Sequence, residues 1–235
     1  MSELPIPMEL RCHKFGRNPE DGSKPVFPND IPEILQFVED IIQDRHFNRR
    51  LAERLRDNTR ITHLGWVTGY TSQFMLDCIA TIKSLEVLSI GISRAADLSG
   101  IGELSKLKCL SLDTTGPATD LSPICRLQNL VSLSIGVSKR ITTLDAFSTN
   151  SLSSLRALHL AESSYSVTTF DSLEPLGAIE SLEYLALGQV RSKDRSLAAI
   201  AALPSLRAFQ YDRNAKFESR DLDTLKSRGI DVSTF

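Results

Sequence analysis

Four histidines and four cysteines carry most of the chemistry that this 235-residue chain could offer, and they are scattered. His13, His46, His63 and His159 do not cluster in sequence. Cys12, Cys78, Cys109 and Cys125 form no CxxC pair and do not alternate with histidines at zinc spacing. No GxGxxG, P-loop, HExxH or GxSxG motif is present, so phosphate cradling, zinc hydrolysis and a nucleophile elbow lack their signatures. His159 has the most informative setting. In Leu158-His159-Leu160 it alternates with leucines, which on a strand sets it on the side away from the core. To catalyse, it would need a Ser or Cys about 3 Å away and a carboxylate to orient the pair. A lone surface histidine is the simpler reading. No metal and no cofactor is expected.

The residues that must position His159 belong to a repeat. SLEVLSI, KLKCLSL, NLVSLSI, SLRALHL, SLEYLAL and SLRAFQY share one phase, and RITHLGW is a degenerate first copy. Their central residues are Leu64, Leu88, Leu110, Leu133, Leu158, Leu185 and Phe209, at intervals of 22 to 27 residues. A second element precedes each centre: DLSGI (97–101), DLSPI (120–124), TLDAF (143–147), SLEPL (172–176) and SLAAI (196–200).

The spacing dictates the shapes. The LxL segment steps by two and reads as a short strand with one face in the core. The steps of three before it suit a 3₁₀ turn, where residues i and i+3 lie on one side. Asp97 and Asp120 are placed to cap the amides that open the turn. Pro123 and Pro175 fall in the first turn, where no amide donor is needed. Each unit buries its leucines only against its neighbours, so stacked units give a parallel sheet inside a curve and turns outside it.

This pattern resembles the short, roughly 22-residue leucine-rich repeats of bacterial internalins and of phosphatase-regulating repeat proteins, over about residues 61–211. The resemblance implies an α/β solenoid: a horseshoe with a parallel concave sheet and short helical or 3₁₀ convex turns. One feature departs from it. Where that family usually has Asn after a two-residue spacer past LxL, this chain has Ser93, Thr115, Ser138, Ser163, Val190 and Asn214. A hydroxyl offers fewer donors than an amide, so a regular side-chain ladder is not expected.

The repeats are expected over 61–216, between an N-terminal cap (1–60) and a C-terminal cap (217–235). Residues 1–30 are rich in Pro and Gly, and 30–58 read as helix. Asp30 and Glu33 resemble a capping box. Ile34, Val38, Ile41 and Ile42 make one apolar face of that helix, and Phe47, Leu51 and Leu55 a second. Its arginines, Arg45 to Arg60, follow an acidic first half, which reads as a solvated face complementing the helix dipole. In the C-terminal cap, Leu222 and Leu225 suggest a short helix, Gly229 a stop, and Ile230 and Val232 a last strand.

The net charge of −2 and the 41% apolar content fit a folded core with no general drive toward nucleic acid or anionic membrane. MSELPIPMEL lacks a basic n-region, and no stretch approaches 18 apolar residues. Together with spread-out, reduced cysteines, these features lead to the expectation of a cytoplasmic protein, a monomer by default.

The residues flanking the buried leucines define the concave face. Ser89, Ser111, Ser134, His159, Ala186 and Gln210 form its middle column, and Ser134 and Ala186 are expected to be exposed there. Tyr184 in the first column is the candidate anchor, and Asp113 and Asp212 stand in the third. Small residues let another chain approach closely. The segment 161–171 is longer than its siblings and carries Tyr165. It is expected to protrude as a polar binding loop, with 163–169 dispensable for folding. Lys139, Arg140, Arg191, Lys193, Arg195, Arg213 and Lys216 make the same edge modestly basic. The function expected is a non-catalytic protein-binding module, a regulator or inhibitor, with toxin neutralisation as one version. An enzyme built around His159 and a structural scaffold are the alternatives.

Overall fold

The structure, a computed structural model, describes residue 53 and residues 55–113, 117–149, 151–162 and 167–235; at 65–69, 91–92, 113 and 162 it describes the backbone alone. Among the described residues, ten strands follow in chain order. They are β1 (His63–Thr71), β2 (Val87–Ser93), β3 (Cys109–Asp113), β4 (Ser132–Val137) and β5 (Ala157–Glu162), then β6 (Thr168–Phe170), β7 (Tyr184–Gly188), β8 (Val190–Ser192), β9 (Ala208–Tyr211) and β10 (Asp231–Thr234). Eight of them form one sheet in the order β1-β2-β3-β4-β5-β7-β9-β10, while β6 and β8 pair separately. All the pairings are parallel.

The register is the one the repeats dictate. Leu64 lies opposite Leu88, and the row continues through Leu110, Leu133, Leu158, Leu185 and Phe209 to Val232. A one-residue slip would turn every leucine out of the core. Leu133, Leu158 and Leu185 are all at most 2% exposed.

The steps of three do form 3₁₀ turns, at Ile101–Glu103, Ile124–Arg126, Asp145–Thr149 and Glu174–Ala178. Leu98, Ile101, Leu104 and Leu107 are all buried, as an eclipsed three-residue period requires. The expected aspartate caps sit earlier than the turn starts: Asp97 accepts the Ser99 amide and Asp120 the Ser122 amide, both at 2.8 Å, while the turns' own first positions, Gly100 and Pro123, have no side-chain cap. Pro123 immediately precedes the second turn, and Pro175 lies in the opening of the fourth. Gly102 lets adjacent turns close: a Cβ there would sit 2.7 Å from the Pro123 carbonyl oxygen.

Among the described residues after Ile61, true helices stand at three places. They are α1 (Gln73–Ala80), α2 (Ala198–Ala202) and α3 (Ser219–Ser227). The Ser72 hydroxyl caps α1, and the Gln73 side chain reaches the next repeat, accepting the amides of Ala96 and Asp97. After α3, Gly229 takes a left-handed φ of 77° and leads into β10. Asp221 on α3 is buried and accepts the Leu197 amide at 2.6 Å, tying α3 to the start of α2.

Of the expected N-terminal helix, Glu53 and Leu55 are described and helical, and Leu55 is buried in the core. The expected helix ends earlier than residue 58: Arg56 and Asp57 form a turn, with Asp57 at a φ of 58°. The Pro-rich start, Asp30, Phe47 and the earlier part of that helix lie outside the described residues, as do Thr115 and Ser163.

One expectation is overturned. The second half of 161–171 is not a protruding polar loop. Residues 168–170 form β6, where the Thr168 amide donates to the Gln189 carbonyl and Phe170 is fully buried. The additional length of this repeat holds a strand whose Thr168 and Phe170 side chains are buried. Tyr165 lies outside the described residues.

Candidate functional site

The sheet sets its outward side chains in rows across the strands. Register places Ser89, Ser111, Ser134, His159, Ala186 and Gln210 side by side, in that order. The row divides. Ser111, Ser134 and His159 are half-buried, while Ser89, Ala186 and Gln210 are buried. Tyr184 is buried too, packed with Ala157, Ala186 and Ala208 and with the half-buried Val131.

These burials correct two expectations. Ala186 is 1% exposed, so it is not an open surface position, and Ser134 is only partly open. Tyr184 lies down among small neighbours and does not stand up as an anchor. The reason is geometric: on a face toward which the sheet curves, side chains converge, and a methyl group between His159 and Gln210 keeps little surface. Alternation along a strand reports which side a residue faces, not how deep it sits.

Two groups that could react meet at the centre of the site. Ser134 Oγ and His159 Nδ1 are 3.2 Å apart. The imidazole leans toward β7, since a Cβ at Gly188 would lie 3.6 Å from His159 Nε2. On its far side stands Phe235, whose ring centroid is 6.3 Å from that of His159 and whose surface is 54% exposed. Phe235 continues β10, with its amide donating to the Tyr211 carbonyl. Sequence reasoning missed this aromatic, because curvature brings together side chains from strands that are not adjacent.

A serine beside a histidine meets half of the requirement for nucleophilic chemistry. The positions that flank His159 do not supply the other half. Its neighbours across the ladder are Ser134 and Ala186, and the next row holds Gly136, Ala161 and Gly188. Asp113 occupies that row two strands away, about 10 Å at the usual strand spacing, and Asp212 follows the end of β9, its amide donating to the Leu187 carbonyl.

The strand-start edge below the site carries ion pairs. Glu183 Oε1 accepts from Arg156 Nε at 2.6 Å, and Arg207 Nε approaches Glu183 Oε2 at 3.6 Å. The Arg156 hydrogen bond holds the Glu183 carboxyl below the usual carboxylate range, against the opposing effect of burial, with both guanidinium charges adding to it. Lys108 and Glu86 pair in the same way at 2.7 Å. Of the cysteines, Cys78 and Cys125 are buried, and desolvation pushes the Cys125 thiol up to about 12, so it is no nucleophile. Among the described residues no group of three or more His, Cys, Asp or Glu side chains is placed to hold a metal ion. No described helix is long and apolar enough to cross a membrane.

No protein-family model matches the sequence, and no curated protein matches it. Solved structures do resemble the fold. An internalin of Listeria monocytogenes, InlF, superposes with a TM-score of 0.56 at 18% identity, over 87% of this chain and 56% of that one. Internalin C2 of the same organism gives 0.52 at 21% identity, over 74% of each chain. The chain thus spans little more than half the length of the first structure. What these likenesses establish is the architecture: a leucine-rich repeat solenoid of the internalin type.

Proposed function

We propose that this chain is a non-catalytic binding module that holds a partner protein against its concave sheet and regulates or inhibits that partner by occupying it. One observation carries the reading. The half-open strip of Ser111, Ser134 and His159, bordered by the exposed ring of Phe235, sits on a continuous parallel sheet with a packed leucine core behind it. Small polar residues beside one exposed aromatic allow close backbone approach and supply a hydrophobic contact at the rim. A rigid sheet loses little entropy on binding. Neutralising a toxin by covering its active surface is one concrete version, and the cytoplasm is the compartment we assign it.

The test uses a tagged chain in its native host. A protein co-purifying with the wild type is expected to be lost when Ser111→Arg and Ser134→Arg are combined, with circular dichroism unchanged. Retention of the same partner would move binding off the concave face.

The Ser134–His159 contact favours one rival, an acyl-transfer enzyme. Incubation with p-nitrophenyl acetate separates the two. A stoichiometric burst that Ser134→Ala abolishes would establish the enzyme; our reading expects none.

A further inference from the structure

The strand-exit edge holds a second feature, apart from the half-open strip. Between β8 and the short 3₁₀ turn Arg213–Ala215 there is a cavity of about 130 Å³. That is room for about four waters, or for one short side chain. Its floor is apolar, from Val190 and Ala215, both nearly fully buried, with Val167 at one side. Its polar walls are Gln189, Arg191, Asp212 and Asn214.

The electrostatics of this edge are lopsided. Lys139, Arg140, Arg191, Arg195, Arg213 and Lys216 form no ion pair among the described residues, whereas Lys193 is paired with Asp171 at 2.6 Å. Of the nearby carboxylates, Glu218 pairs with Arg220 at 3.1 Å, while Asp212 and Asp194 keep their charge and accept the Asn214 and Ser196 amides at 2.7 Å and 3.2 Å, leaving the cations in excess. A chain with a net charge of −2 thus gathers unpaired cations on one edge. Such a distribution attracts acidic partners.

Gln189, whose side chain lines the cavity, has a φ of 55°, in the left-handed region that Arg195 and Lys216 also adopt on this edge.

We infer that this notch binds an acidic peptide segment of a partner, seating one Glu or Asp side chain with its carboxylate on the Arg191 guanidinium and on the side-chain amides of Gln189 and Asn214. A guanidinium fork matches a carboxylate in a way that an ammonium does not. The inference does not depend on the concave face being a binding surface, and it can fail or hold separately.

The probe is fluorescein-labelled hexaglutamate, titrated with the full chain and read by anisotropy against hexaglutamine. Hexaglutamate is expected to bind at least about tenfold tighter, and less so as salt rises. Arg191→Ala should weaken it at least about tenfold, and Arg191→Lys should recover only part of the loss. Gln189→Gly, which relieves the backbone while removing an amide, should keep the thermal midpoint and weaken binding about threefold. Arg140→Ala, a cation on the same edge but not in the notch, should change affinity less than about twofold. The inference is overturned if hexaglutamine binds as well as hexaglutamate, or if Arg140→Ala costs as much as Arg191→Ala. It is overturned too if Gln189→Gly leaves affinity unchanged.

Discussion

Ser134 and His159 stand 25 residues apart in sequence and 3.2 Å apart across the β4–β5 ladder. Their contact exists because Leu133 and Leu158, one position earlier on each strand, lock the register from the other side of the sheet. The two faces therefore make different predictions from adjacent residues. Leu133→Ala removes a buried side chain and should cost about 2–5 kcal/mol. Ser134→Ala removes one half-buried hydrogen bond and should cost about 0.5–1.5 kcal/mol. Urea melts of the two variants check the order, and equal costs would mean that the register is wrong.

Gly102→Ala places a methyl group 2.7 Å from the Pro123 carbonyl oxygen, which belongs to the backbone and cannot swing aside. The adjacent turns must spread, at a cost of about 1–3 kcal/mol. The alanine should raise intrinsic helix propensity at the same position, so a loss in thermal midpoint isolates the packing effect. A gain would show that the convex turns are less tightly stacked than described.

Glu183 makes the fold sensitive to acid. Its carboxyl is held below its ordinary range chiefly by the Arg156 hydrogen bond. A depressed folded value means that the stabilisation is fully present above the unfolded value of about 4.3, and is lost as pH falls through the lower, folded value. Glu183→Gln should lower stability at pH 7 and flatten its decline below about pH 4. Parallel acid limbs for the wild type and the variant would contradict the assignment.

Phe170 tests the corrected view of segment 161–171. It is fully buried beside Ser192 in the β6–β8 pair, so Phe170→Ala should cost about 3–5 kcal/mol. A protruding loop would lose almost nothing, and calorimetry distinguishes the two cases.

Much of this fold is legible in the sequence because the repeat enforces it many times over. Leu121, Ile124, Leu127, Leu130 and Leu133 state a turn and a strand in five residues, and sister repeats repeat the statement. The register followed from aligning those leucines, since nearest-neighbour stacking leaves no other way to bury them. The unrepeated parts were opaque. TTF (168–170) and VRS (190–192) are too short for alternation to separate strand from loop, so β6 and β8 were missed. QFMLDCIA (73–80) does not share the phase of the later turns, so α1 was missed as well. The site was half legible. Alternation placed Ser111, Ser134 and His159 on the open face, but the burial of Ala186 and Tyr184 and the arrival of Phe235 depend on curvature, which no local pattern encodes.

The central claim is that a partner protein sits on the concave sheet. Photo-crosslinking from single positions in the native host tests it most directly. A benzoyl-phenylalanine at Ser111, half-buried on the concave face, is compared with one at Ser99, exposed on a convex turn. The account predicts one discrete adduct from position 111, none from 99, and loss of that adduct when Ser134→Arg is added. Equal adducts from both positions, or an adduct from 99 alone, would contradict it.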